Sequence, residues 1–213
     1  MCSKNTKFIL FMSVIVAGIH TGIGKTLCSA ILCEAWGYDY WKPIQAGDLE
    51  QSDSLFIKNQ VRNPRCTIHP ETYRLQLAAS PHFAAEQEGI EIDKNKFILP
   101  QSQNSIVVET AGGIMSPLSD NLLNIHLIKH LNLPVILVSE NYLGSINHTL
   151  MTISLLQQAQ IPIQGIVFNG DKVQSSMDFI LKYSKIPCLF TIPKLKRVDS
   201  DAIKALIYKE LIK

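Results

Sequence analysis

The chain has 213 residues, 46% hydrophobic, 18% charged and 8% aromatic, which sets it apart from disordered, collagenous and low-complexity chains. Twenty Lys and Arg against eighteen Asp and Glu leave a net charge of +2, too even for the basic footprint of a nucleic-acid binder, whereas a small anionic ligand needs only a local positive site. The length suits one domain over 1–213, and five cysteines (Cys2, Cys28, Cys33, Cys66, Cys188) without a C-x-x-C pair suggest neither a disulfide framework nor a zinc knuckle, as expected of a cytoplasmic protein.

Along the chain, Lys4 and Lys7 precede an apolar run at 8–17, an outline shared with a signal peptide. The run is shorter than the ~20 residues of a membrane span. A glycine-rich loop follows it in place of a small-residue cleavage site, so it reads as a buried strand. That loop, Gly18-Ile19-His20-Thr21-Gly22-Ile23-Gly24-Lys25-Thr26, opens a helix over 25–36. Its glycines let backbone N–H groups turn toward phosphate oxygens, Lys25 would reach the terminal phosphates, and the Thr26 hydroxyl would hold Mg²⁺. Five residues separate Gly18 from Gly24, where the common phosphate loop has four. The second lysine of partitioning and Min-type ATPases is missing, with Ile19 and His20 in its place. Asn169-Gly170-Asp171 is not the Asn-Lys-x-Asp of guanine recognition, which favours adenine.

A strand over 39–44 runs into Trp41-Lys42-Pro43-Ile44-Gln45-Ala46-Gly47, setting Lys42 where a transferring phosphoryl group needs positive charge, unless it is a surface lysine. A helix over 52–60 begins at Ser52-Asp53, where either side chain can cap the helix and Asp53 can complete a magnesium shell with Thr26. The stretch 62–104, punctuated by Pro64, Pro70, Pro81 and Pro100, reads as a long irregular insertion of the functional kind. A strand over 105–109 then delivers Glu109 ahead of Gly112-Gly113, an acid at a strand end that wants a cation, next to glycines that admit a ligand. Helices over 120–131, 145–160, 174–184 and 200–212 alternate with strands over 134–139, 163–168 and 187–192. The pattern is that of an α/β fold, a mostly parallel sheet with helices on both faces and its ligand crevice beyond the carboxyl ends of the strands. His126 and His130 have metal-sharing spacing but read as a helix face. The last helix, with Ile203, Leu206, Ile207 and Leu211 on one side, reads as packed on the sheet rather than lying on a membrane.

Taken together, the loop 18–26, Lys42-Pro43-Ile44-Gln45 with Gly47, Ser52-Asp53, Val108-Glu109 through Gly113, and Leu143-Gly144-x-Ile146-Asn147 resemble the dethiobiotin synthetase family in kind and order. The resemblance implies a single-domain P-loop homodimer that converts 7,8-diaminononanoate, CO₂ and MgATP to dethiobiotin, ADP and phosphate through a carbamate and a carbamic-phosphoric anhydride. It assigns Lys25, Lys42 and Thr21 to catalysis, and Gly22, Ile23, Gly24, Lys25, Thr26, Glu109, Gly112 and Asn169 to ATP. Thr26, Asp53 and Glu109 fall to Mg²⁺. Thr21, Lys42, Gly113, Leu143, Gly144, Ile146 and Asn147 fall to the substrate, whose tail the 143–147 loop receives across the dimer. No nucleic acid or membrane partner is implied. Ala46, Thr110 and Phe190 depart from the family pattern, at a substrate hydroxyl, after the acid, and on the adenine side. A nucleotide-switch ATPase of partitioning or metal-insertion type is the rival, disfavoured by the missing lysine and by Lys42-Pro43-Ile44-Gln45. A cobyrinic-acid amide synthase would need an added domain for which the length leaves no room.

Overall fold

A computed structural model describes residues 12–212. In chain order the elements are β1 (Val14–Gly18), α1 (Lys25–Trp36), β2 (Asp39–Trp41), β3 (Ile44–Ala46), α2 (Asp53–Gln60), β4 (Ile68–His69), β5 (Tyr73–Leu75) and α3 (Pro81–Glu88). They continue with β6 (Ile106–Gly113), β7 (Pro117–Ser119), β8 (Leu122–Leu123), α4 (Asn124–Leu131), β9 (Val135–Glu140), α5 (Ser145–Gln158), β10 (Ile163–Asn169), α6 (Gln174–Ser184), β11 (Cys188–Ile192) and α7 (Ser200–Ile207), whose last turn widens over Tyr208–Ile212.

Among the described residues seven strands form one parallel sheet in the order β11-β10-β9-β1-β6-β2-β4. β1 is wholly buried, and its alternating side chains feed two cores: Ile15 and Ala17 face α3 to α6, while Val14 and Val16 face α1, α2 and α7. Helices on both faces explain why this strand reads as an unbroken apolar run. Because β6 pairs on one side of β1 and β9 on the other, the chain reverses direction across the sheet there, and a ligand crevice opens beyond the strand ends. In α7, Ile203, Leu206 and Ile207 are at most 6% exposed, and burying three such side chains is worth about 5–9 kcal/mol of transfer free energy, so this helix belongs to the core. Among the described residues no helix is long and apolar enough to cross a membrane.

Several boundaries differ from the sequence reading. The strand expected over 8–17 runs from Val14 to Gly18, and 8–11 lie outside the described residues. The strand expected over 39–44 breaks at Lys42-Pro43: proline has no N–H for the ladder, and the chain resumes as β3, which pairs with β5 away from the main sheet. The helix expected over 120–131 starts at Asn124, because a small hairpin of β7 and β8 takes up the preceding residues. The irregular stretch 62–104 carries β4, β5 and α3.

Candidate active site

The phosphate loop wraps the end of β1 with Gly22 at φ 78° and Gly24 at φ 89°, left-handed values that disfavour any side chain. A Cβ on Gly24 would also run into the Asn169 amide, whose Nδ2 donates to the Ile23 carbonyl at 2.9 Å and leaves Oδ1 as an acceptor. The Ile23 side chain is in the core, so only its backbone can face a ligand. Lys25 is 7% exposed and folds back over the loop, donating from Nζ to the His20 carbonyl at 3.0 Å.

Three oxygens meet beside it. Thr26 Oγ1 lies 2.8 Å from Asp53 Oδ1 and 2.8 Å from Glu109 Oε1. A hydroxyl has one proton and can donate to one carboxylate at a time, so the second contact has no proton of its own and invites a cation. Asp53 Oδ2 pairs with Lys42 Nζ, and the Lys42 side chain is 8% exposed. Asp53 can stand there because Ser52, not Asp53, caps α2, accepting from Leu55 N at 3.3 Å. Glu109 lies inside β6, since the strand expected to end there runs on to Gly113; it is 1% exposed, and its Oε2 accepts from Ser29 Oγ at 2.9 Å and Tyr40 OH at 3.0 Å.

Burial lowers Lys25 to about 8, with Lys42 adding to the fall and Glu109 opposing it. Burial lowers Lys42 as well, and Glu109 and Glu71 oppose that shift. Tyr40 is pushed well above the usual phenol range by burial and then by Glu109, which keeps it a neutral donor.

A cavity of about 530 Å³ opens over this cluster, bordered by Thr21, Lys25, Lys42, Asp53, Glu109 and Gly112. A second, of about 470 Å³, lies on the other side of Thr21, with Ile19, Gly113, Met115, His148 and Met151 around it. Thr21 stands on the divide. The glycine stretch between the cavities is clamped by buried Asn124, whose Nδ2 donates to the Gly113 carbonyl at 2.9 Å, and by Ser116 Oγ, which accepts from Gly113 N at 3.0 Å.

Leu143, Gly144 and Asn147 are exposed at the start of α5, Ile146 is half-buried, and none of them borders either cavity. His148, one residue on, does border the second, with Nδ1 2.7 Å from Tyr142 OH. Phe190 is a core side chain away from the cluster, whereas Thr110, buried with its hydroxyl 3.5 Å from the Val16 carbonyl, borders the first cavity beside Glu109. His126 and His130 hold no metal arrangement: His126 Nδ1 accepts from Leu123 N at 3.2 Å, and no group of three or more His, Cys, Asp or Glu suited to a metal occurs among the described residues. Ser29 and Tyr40 were not legible as site residues, although Ser29 lies one helical turn after Lys25 and Tyr40 shares a strand face with Lys42.

A family model described as an AAA domain matches residues 12–202. The chain is 42% identical over 195 residues to the ATP-dependent dethiobiotin synthetase of Cytophaga hutchinsonii, covering 91% of this chain and 94% of that one. It is 37% identical over 190 residues to the synthetase of the same name from Chlamydia pneumoniae, covering 89% and 85%. Among solved structures it resembles a ParA family ATPase from Chlorobium tepidum (TM-score 0.56, 13% identity, 91% and 90% covered). The cell division ATPase MinD of Pyrococcus furiosus is similar to the same degree (TM-score 0.56, 12% identity, 92% and 97% covered). These two likenesses show a shared P-loop α/β fold alone. With identity near 40% carried over nine-tenths of both chains, the protein belongs to the ATP-dependent dethiobiotin synthetase family.

Proposed function

We propose that the chain, working as one domain over 1–213 in a cytoplasmic homodimer, carries out the ATP- and Mg²⁺-dependent carboxylation and ring closure of 7,8-diaminononanoate with CO₂ to dethiobiotin, ADP and phosphate in biotin biosynthesis. The observation that carries this reading is the meeting of Thr26, Asp53 and Glu109 beside two buried lysines, at the floor of the first cavity. Backbone N–H groups of 22–26 and the α1 N-terminus receive the phosphates, and Asn169 Oδ1 accepts from the adenine amino group. The residues present fit Mg²⁺, which takes one or two carboxylates and completes its shell with phosphate and water: Thr26, Asp53 and Glu109 would hold it. Bound there, the ion would neutralise charge on the phosphate oxygens.

Thr21 orients the diamine from the divide between the cavities, with Gly113 allowing close approach. One amine takes up CO₂ as a carbamate, whose oxygen attacks the γ-phosphorus with departure of ADP. The second amine then attacks the carbonyl carbon and expels phosphate, closing the ring. Lys42 and Lys25 neutralise the carbamate and the transferring phosphoryl group, which they do strongly because burial removes competing water. Leu143, Gly144 and Asn147 at the start of α5 are exposed and, like half-buried Ile146, border neither cavity, which supports the reading that this segment receives the substrate tail of a second copy.

Supplying heavy-carbon bicarbonate with MgATP and the diamine tests the reaction: the label is expected in the ureido carbonyl of dethiobiotin by mass spectrometry. A product without label, or none, would refute it.

A further inference from the structure

The irregular insertion reaches the site through one buried acid. β5 pairs with β3 in parallel register, Ile44 opposite Tyr73, and Tyr73 N donates to the Pro43 carbonyl at 3.0 Å, so the segment leading into β5 lies beside the Lys42-Pro43 break. The Glu71 side chain is 4% exposed, although it lies in the turn between β4 and β5. Its Oε1 accepts from Ser54 Oγ at 2.6 Å and its Oε2 from Arg74 Nη1 at 3.0 Å. Ser54 is the residue after Asp53, in the first turn of α2. Arg74 is 46% exposed and can be solvated without Glu71, whereas buried Ser54 cannot. The strong end of the link is therefore the one tied to α2.

We propose that Glu71 is a positioning residue: through Ser54 it pins the first turn of α2, so that the Asp53 carboxylate stays against Thr26 and Lys42 in the geometry that takes the metal. The turn that bears Glu71 is thereby a working part of the site rather than a spacer. This inference rests on the metal reading of Thr26, Asp53 and Glu109 given above.

The test is Mn²⁺ uptake, followed by electron paramagnetic resonance, by the full chain with a non-hydrolysable ATP analogue. Glu71→Ala and Ser54→Ala are each expected to weaken Mn²⁺ affinity about fivefold, the scale of one buried hydrogen bond. The double variant is expected to show that same fivefold loss, because both changes break one link. Glu71→Gln, whose amide oxygen still accepts from Ser54, should recover most of the affinity. Losses that multiply in the double variant, or single variants with wild-type affinity and only a lower melting temperature, would overturn the role of Glu71. A wild-type protein that takes up no Mn²⁺ with the analogue would overturn the metal reading itself, and this proposal with it.

Discussion

Lys42 sits at the end of β2, where the strand breaks before Pro43, and its ammonium is tied to Asp53 instead of trailing into solvent. If it neutralises charge that grows in the transition state, Lys42→Ala should lower kcat by about 10² to 10³ while leaving nucleotide affinity within a few fold; an unchanged kcat would remove it from the mechanism. Lys25 makes a different prediction, because its folded value is about 8 against 10.5 for the free side chain. Between those values the unfolded chain binds more protons, so this lysine alone makes the ligand-free protein gain stability as pH rises through the window. A triphosphate reverses the sign by favouring the charged form. ATP binding near pH 8 should therefore take up a fraction of a proton, seen as a binding enthalpy that depends on the ionisation enthalpy of the buffer. A buffer-independent enthalpy would contradict the contact.

At the scale of elements, the site is built from what stands at the ends of strands and the starts of helices. Gly18 and Lys25 bracket the turn from β1 into α1, Lys42 follows β2 and Asp53 opens α2, while Glu109 stands within β6, just after its apolar run Ile106–Val108. Such positions are legible in a sequence because a local pattern changes at each of them, and the same change gives the bounds of α1 and α6 to the residue. The partners of Glu109 were not legible. Tyr40 and Ser29 meet its Oε2 from separate elements, and nothing in local spacing says that an inward tyrosine and a helical serine converge on one carboxylate. Nor could 62–104 be resolved: β5 is three residues long, too short for periodicity, and its partner β3 exists only because Pro43 broke the preceding strand. Tyr40→Phe should expose the dependence, since an acceptor site on buried Glu109 would lose its donor. Its expected cost is about 1–3 kcal/mol in denaturant unfolding, with weaker metal binding. Wild-type values of both would mean that Ser29 alone orients the acid.

In the whole molecule, exposed apolar side chains at the start of α5 and at the second cavity bear on the proposed pairing of two chains. Leu143 is fully exposed, and Met115 and Met151, which border that cavity, are about half exposed. If the α5 start of one copy completes the substrate cavity of the other, Leu143→Asp should shift the protein toward monomer in analytical ultracentrifugation and raise KM for the diamine more than KM for ATP. A dimer undisturbed by that change would place the interface elsewhere. The near-zero net charge of the whole chain conceals a local cluster, in which two buried lysines and two acids border one cavity and Lys42 pairs directly with Asp53.

ATP turnover is expected to be coupled to carboxylation of a diamine rather than run as a switch. Phosphate release followed with MgATP and bicarbonate, with and without 7,8-diaminononanoate, separates the two: release should depend on the diamine and match dethiobiotin formed mole for mole, whereas release at the same rate without the diamine would mean a switch ATPase.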